Sequence, residues 1–382
     1  YTGYADKVQA IIDDVRECGD EALFEMTKRF DGADLNADNI RVTQAEIDEA
    51  YTLVDASLIE VIRKAMTNIR VYHEKQRQYG WFDTTPDGTI LGQKVTPLQS
   101  TGVYVPGGKA AYPSSVLMNV IPAKVAGVEK IVMVTPPTEN LNQAVLAAAK
   151  IAGVDRVIGV GGVQAVAALM YGAGFIPRVD KLVGPGSAYV AAAKRMAYGT
   201  VDIDMVAGPS EILIVADDTA NPKFVAADLM SQAEHDKLAS PMLLTTSQAL
   251  AEAVDQEIIR QMSYLERSEI MEQSFANFGA AIVCDTLERC AELADLIAPE
   301  HLEICVDDPF AVLNSVQNAG SIFLGKNVPE ALGDYFAGPN HTLPTSGTAR
   351  FSSPLGVDDF VKKSSFIYYT REALEKAAPR IA

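Results

Sequence analysis

Only four histidines occur in this 382-residue chain, and three of them stand beside other chemically capable side chains. His235 follows Ser231-Gln232-Ala233-Glu234 at the end of a helical pattern. Gln232 and His235 are three apart and so share one helix face. An amide oxygen and an imidazole nitrogen on one face suit Zn2+ or a similar borderline ion. A polar helix end accounts for the same residues without a metal. Asp228, one turn earlier on that face, is a further ligand or a cap. Glu300-His301 sets a carboxylate beside an imidazole at the entrance to a strand pattern. Such a pair offers two general bases, one with a pKa near neutrality, or else a loop acid and a structural histidine. The polar, glycine-rich loop 333–341 carries Asp334, an anionic ligand candidate, and His341, a candidate substrate contact. Loops on a rigid scaffold commonly carry function, though a surface turn fits the composition equally. The fourth histidine, His73, lies among Glu74, Lys75, Gln76 and Arg77 and reads as part of a solvated helix face.

Three glycine turns add a second kind of chemistry. In Gly159-Val160-Gly161-Gly162 a strand pattern meets a helix pattern, where bare backbone can approach a pyrophosphate. Gln164 stands where the third glycine of that fingerprint belongs, so an ordinary turn is an equal reading. Tyr104-Val105-Pro106-Gly107-Gly108 and Gly184-Pro185-Gly186-Ser187 are further turns. Three of them at strand ends of one α/β unit point to a nucleotide crevice.

The elements that must position these residues follow from periodicity. Val8, Ile11, Ile12 and Val15, then Ile47, Ala50, Tyr51 and Val54, recur at helical spacing, which predicts helices over 5–76. From about residue 93, β-branched runs alternate with Ala-rich periodic segments. Strands are expected at 130–135, 156–160, 211–216, 242–245, 280–283, 302–306 and 321–324. Helices are expected at 142–152, 162–171 and 222–235. Strand–helix–strand at this spacing means parallel units with right-handed crossovers. The fold class is α/β: two Rossmann-like parallel-sheet domains, 93–210 and 211–345, with small helical appendages. Residues 1–92 form a helical part expected to pack on the second unit. Residues 346–382 form a C-terminal extension whose Glu372, Glu375 and Lys376 suggest a solvated helix.

A net charge of −18 argues against partners that present phosphate, both nucleic acid and anionic membrane surfaces. With 48% hydrophobic residues the chain can build a large core. No run of 18 apolar residues and no secretory leader is visible. Cys18, Cys284, Cys290 and Cys305 show no CxxC spacing and read as reduced thiols of a cytoplasmic protein.

Taken together, the motifs are GVYVPGGKAAYPSSVLMNVIPAKVAGV (102–128), GVGGVQAVAAL (159–169), DKLVGPGS (180–187), DMVAGPSEILIVAD (204–217), SQAEHD (231–236), APEHLEI (298–304) and LGDYFAGPNHTLPTSGTARFSSPL (332–355). In this order they resemble the histidinol dehydrogenase family over nearly the whole chain. The resemblance implies NAD-linked oxidation of L-histidinol through L-histidinaldehyde to L-histidine, with two NAD+ and one Zn2+, in histidine biosynthesis. It implies Gln232, His235 and Asp334 as metal ligands, Glu300 and His301 as the catalytic pair, and Ser210 and His341 as further substrate contacts. Gln232, His235, His301 and Asp334 would touch substrate as well. It places Tyr104, Gln164 and Ser187 against NAD, with Ser187 standing where the family usually has Asn. The family's fourth zinc ligand, a His in a C-terminal tail that crosses to the other subunit of an intertwined homodimer, has no counterpart in these residues; nor has the substrate-contacting Glu before it. Two other readings stay open: a relative that oxidises another small amino alcohol or polyol, and a non-catalytic metal- or nucleotide-binding module.

Overall fold

The computed structural model describes residues 2–107, 112–137 and 142–381. Residues 108–111 of the 102–128 motif lie outside the described residues. The chain opens with α1 (Ala5–Cys18), α2 (Asp20–Asp31), β1 (Arg41–Val42), α3 (Gln44–Leu53) and α4 (Ala56–Glu74), followed by β2 (Trp81–Thr84) and β3 (Ile90–Pro97). A first α/β unit follows: β4 (Ser100–Tyr104), α5 (Pro113–Ala126), β5 (Lys130–Thr135), α6 (Gln143–Ala152), β6 (Arg156–Gly159), α7 (Gly162–Tyr171), β7 (Lys181–Val183), α8 (Ala188–Ala197) and β8 (Asp202–Ile203). The second unit runs β9 (Glu211–Ala216), α9 (Pro222–Ala233), β10 (Ser240–Thr245), α10 (Gln248–Met262), α11 (Ser268–Phe278), β11 (Ala280–Val283), α12 (Leu287–Ile297), β12 (His301–Cys305), α13 (Pro309–Leu313) and β13 (Ser321–Leu324). The short α14 (Glu330–Leu332) leads into a π-helical turn, Gly333–Ala337. The chain closes with β14 (Val361–Tyr368) and α15 (Arg371–Ile381).

Both units use one strand order. The first sheet reads β6-β5-β4-β7-β8, with the two-residue β1 added antiparallel to β6. The second reads β11-β10-β9-β12-β13 and is parallel throughout. In each, the first strand of the unit sits at the centre and the connection reverses direction between it and the fourth. That reversal is the topological switch point of doubly wound folds. Parallel strands covered on both faces read as unbroken apolar runs, and KIVMVT and EILIVA do so.

The N-terminal helices pack mainly on the first unit and not, as expected, on the second. There α3 lies on α6, α4 on α5, and α1 on α7 and α8, while α4 alone also reaches the turn 333–337. The reason lies in α5, which is buried nearly all round, from Ser115 to Ala123. A helix apolar on every side needs cover on every side, and α4 supplies it with Ile62, Ala65 and Ile69. Burying large apolar side chains such as Ile62 and Ile69 stabilises this docking by roughly 1.5–3 kcal/mol each.

The helical reading of the N-terminal part also fails at residues 81–97. There β2 and β3 join β14 in a three-stranded antiparallel sheet of residues far apart in sequence. His73 departs from its solvated reading as well. It is fully buried, its Nδ1 donating to the Ile69 carbonyl at 2.8 Å and its Nε2 lying 3.4 Å from Asn340 Nδ2. The charged neighbours face water, whereas the 340–357 segment covers this one position. The C-terminal helix is exposed and carries Arg371–Glu375 and Glu372–Lys376 pairs four residues apart.

Candidate active site

Strand register builds the core of the site. Glu211 pairs with Ser240 and Ile212 with His301, so the entrances of β9, β10 and β12 lie level. Glu300 and Glu211 therefore stand side by side and bond reciprocally. The Glu211 N–H donates to Glu300 Oε2 at 2.8 Å, and the Glu300 N–H to Glu211 Oε2 at 3.2 Å. Glu211 Oε1 also accepts from the Ser346 N–H at 2.9 Å. His301 Nδ1 donates to the Glu211 carbonyl at 2.9 Å. This fixes the ring and turns Nε2 to Asp334 Oδ1, also at 2.9 Å, with Glu330 Oε1 at 3.9 Å. Two non-glycine residues with left-handed backbone flank this clamp: Ala298 (φ 51°), two before Glu300, and Ser346 (φ 56°), which donates to Glu211. Strain of this kind collects where surrounding structure dictates geometry.

The loop 333–341 is a buried strut and not a surface turn. Asn340 Nδ2 donates to the Met118 carbonyl at 2.6 Å, its Oδ1 accepts from the Thr342 N–H at 2.9 Å, and Asn68 Nδ2 donates to the Phe336 carbonyl at 2.9 Å. Gly338, at φ 129°, leaves no room for a Cβ, which would meet the Asn68 carbonyl at 2.8 Å. The loop thus ties the second unit to α4 and α5 of the first and delivers Asp334 beside His301.

Burial sets the electrostatics. For His301, burial favours the neutral ring, but the charges of Asp334 and Glu300 outweigh it and hold the pKa well above the usual imidazole value. For Asp334, burial opposes ionisation, yet the His301 imidazole draws its pKa down to about 2. His235 and His341 are both held below the ordinary value, chiefly by burial. Neutral imidazole is the form that ligates metals and accepts protons. Burial raises Glu330 to about 8 and Asp228 to about 6.

A cavity of about 940 Å³ gathers these groups. Its walls include Ser210, Gln232, His235, Glu300, His301, Asp334 and His341 from the second unit, and Gly184, Pro185 and Asp204 from the first. The site lies between the amino ends of the second sheet and the carboxyl ends of the first. Tyr104, Gln164 and Ser187 are not among its lining residues. The Tyr104 hydroxyl accepts from the Gly162 N–H at 3.0 Å, Gln164 Nε2 donates to Asp31 at 3.3 Å, and Ser187 Oγ caps α8. Two of the glycines answer to the chain's own close packing: a Cβ on Gly161 would meet Pro136 at 2.4 Å, and one on Gly184 (φ 114°) the Tyr104 carbonyl at 2.1 Å.

For a metal, ligand atoms of His301, Glu330 and Asp334 lie within 4.8 Å of one another. Gln232 Nε2 donates to Glu330 Oε1 at 2.6 Å, while Gln232 Oε1 is buried without a hydrogen-bond partner. A buried oxygen left over beside a carboxylate and an imidazole is what a borderline cation takes up.

A model of the histidinol dehydrogenase family matches residues 1–382. The chain belongs to the histidinol dehydrogenase family. It is 54% identical to the histidinol dehydrogenase of Halalkalibacterium halodurans, over 98% of this chain and 88% of that protein. To the Bacillus subtilis enzyme it is 55% identical over the same shares. The crystal structure of histidinol dehydrogenase from Elizabethkingia anophelis superposes with a TM-score of 0.94 at 39% identity, covering 99% of this chain and 87% of that one. An acetylating aldehyde dehydrogenase from Geobacillus thermoglucosidasius, at 13% identity and a TM-score of 0.51, covers 97% of this chain and 98% of that one; it shares the fold alone. As a histidinol dehydrogenase family member, the chain is an NAD-dependent oxidoreductase of histidine biosynthesis.

No cysteine lines the cavity among the described residues. Cys284, Cys290 and Cys305 are buried, and burial pushes the Cys290 thiol up to about 12. A thiolate nucleophile has no place here. Two residues that sequence reasoning did not single out complete the site, Glu211 and Glu330. Glu211 follows Ser210 inside the 204–217 motif, and Glu330 lies one helical turn before Asp334. An acid one turn from a ligand candidate was the available signal. Among the described residues, no helix is long and apolar enough to cross a membrane.

Proposed function

We propose that the chain oxidises L-histidinol to L-histidine in two NAD-linked steps at a zinc site between the two sheets. The observation that carries this reading is the clamped Glu300–His301 pair beside Asp334 and the unpartnered oxygen of Gln232. Gln232, His235 and Asp334 hold the metal, with the remaining position left to a group outside these residues. Tyr104, Gln164 and Ser187 lie on the NAD side, where the first sheet's switch point opens toward the cavity at Gly184 and Pro185. When bound, zinc anchors the substrate's imidazole and amino groups while NAD accepts hydride.

The chain's own groups manage protons and water. The charge of Asp334 holds the His301 ring protonated; with a cation taking up that charge, His301 would turn neutral and accept the substrate's hydroxyl proton at Nε2, its Nδ1–H remaining on the Glu211 carbonyl. Glu300 removes a proton from the water that attacks the aldehyde carbon while His301 returns its proton to the aldehyde oxygen, giving the hydrate and a neutral His301. His301 then takes the hydrate's hydroxyl proton as the second hydride leaves, and the product is the carboxylic acid. Ser210 and His341 contact the substrate from the cavity wall. The molecule works as a homodimer. In support, the three-stranded sheet leaves Phe82, Phe366 and Tyr368 exposed on one face and Trp81, Leu91 and Ile367 on the other, apolar surface of the kind partners cover. Four free cysteines fit a reducing, cytoplasmic setting.

Titrating zinc-loaded protein with L-histidinol and excess NAD+ tests the reading. Two NADH per histidinol, lost on chelation and restored by zinc, is the expected result. A yield of one, or turnover indifferent to chelation, would count against it.

A further inference from the structure

We propose that Glu330 is a positioning residue that orients the Gln232 amide, so that its oxygen and not its nitrogen faces the metal. The inference rests on the reading of Gln232 as a ligand. An amide side chain presents two nearly isosteric ends, of which only the oxygen has a lone pair to give a cation. Something must choose the end. Here Glu330 Oε1 accepts from Gln232 Nε2 at 2.6 Å, and both side chains are about 98–99% buried. The amide nitrogen is thereby spoken for, and Oε1, buried and without any partner, is left over.

Glu330 is itself held. It opens α14 directly after Pro329, and its N–H donates to Asp228 Oδ1 at 3.4 Å. Asp228 lies on the same face of α9 as Gln232, one turn earlier. The helix carrying the ligand therefore also anchors the residue that orients it. Outer partners of this sort fix ligand orientation, and their loss typically weakens metal binding about 10–100-fold. Ligand atoms of Glu330 also lie near those of His301 and Asp334, so a direct ligand role is the competing assignment.

Zinc affinity, measured by competition with a chromogenic chelator on the full chain, separates these cases without reference to turnover. Glu330→Leu removes the acceptor and should weaken zinc about 10–100-fold. Glu330→Gln keeps a carbonyl acceptor and should stay close to the parent. The exchange Q232E/E330Q swaps donor and acceptor at constant volume and should also bind zinc like the parent. Gln232→Ala serves as the reference for the ligand itself. If Gln232→Ala weakens zinc but Glu330→Leu does not, the positioning role is overturned and the ligand stands. If Gln232→Ala binds like the parent, the ligand reading falls, and the positioning role with it. Loss in Glu330→Gln as large as in Glu330→Leu would make Glu330 a ligand and overturn the proposal. Should Glu330→Leu not fold, failure of the exchange variant to recover affinity would overturn it equally.

Discussion

At the level of single residues, the site depends on side chains that hold others. Glu211 touches both members of the catalytic pair through three separate groups, its N–H, its carbonyl and Oε2, while its Oε1 accepts from Ser346. Glu211→Ala would leave two N–H groups, those of Glu300 and Ser346, without their acceptors, at a cost of about 1–3 kcal/mol each where burial is complete. We expect a lower melting temperature and slower turnover in both half-reactions, read by calorimetry and single-turnover kinetics. The buried acids make a second prediction. Carboxyls whose folded pKa exceeds the unfolded one bind protons more tightly when folded, so stability falls as pH rises between the two values. Burial holds Asp228 up to about 6 and Glu330 up to about 8. Metal-free protein should therefore melt lower at pH 8 than at pH 5, and Glu330→Gln should narrow that gap. An unchanged gap would show that Glu330 does not titrate in this range. Gln232, His235, Glu300, His301, Asp334 and His341 were legible from residue type and company, and all line one cavity. Glu211 and His73 were not, because a lone acid in a strand and a histidine in a charged run carry no local mark of burial.

At the level of elements, the strands of the two parallel sheets were the most legible. KIVMVT, EILIVA, AAIV and SIFL span the residues expected of them, 130–135, 211–216, 280–283 and 321–324. The strands of the small antiparallel sheet were not, because β3, which pairs with β2 on one side, finds its other partner in β14 more than 260 residues further on, and local pattern says nothing of so distant a pairing. The turn after β7, Gly184-Pro185-Gly186-Ser187, brings Gly184 and Pro185 to the cavity where the two units meet. Gly184→Ala would force a Cβ to within 2.1 Å of the Tyr104 carbonyl at a φ of 114°. Strain of about 1–3 kcal/mol follows from such a conformation. Because this turn also edges the cavity, the variant should weaken NAD binding, measured by fluorescence titration, as well as lower stability. Loss of stability with NAD affinity intact would remove the turn from the cofactor side.

At the scale of the whole molecule, the catalytic cavity exists only because two similar sheets meet end to end, carboxyl edge against amino edge, with the 333–341 strut fastening them. The apolar patch on the appendage sheet belongs to a further level of assembly. Ile367→Glu should shift the protein toward monomer in sedimentation velocity; a parent that is itself a fully active monomer would refute the dimer. The central claim concerns what the pair in that cavity does. General-base assistance is worth about 10²–10⁴-fold. In single-turnover experiments, Glu300→Gln should slow NADH formation from L-histidinaldehyde by about that factor while sparing the first hydride transfer from L-histidinol, whereas His301→Asn should slow both. Equal slowing of the two steps by Glu300→Gln, or little slowing of either by His301→Asn, would contradict the account.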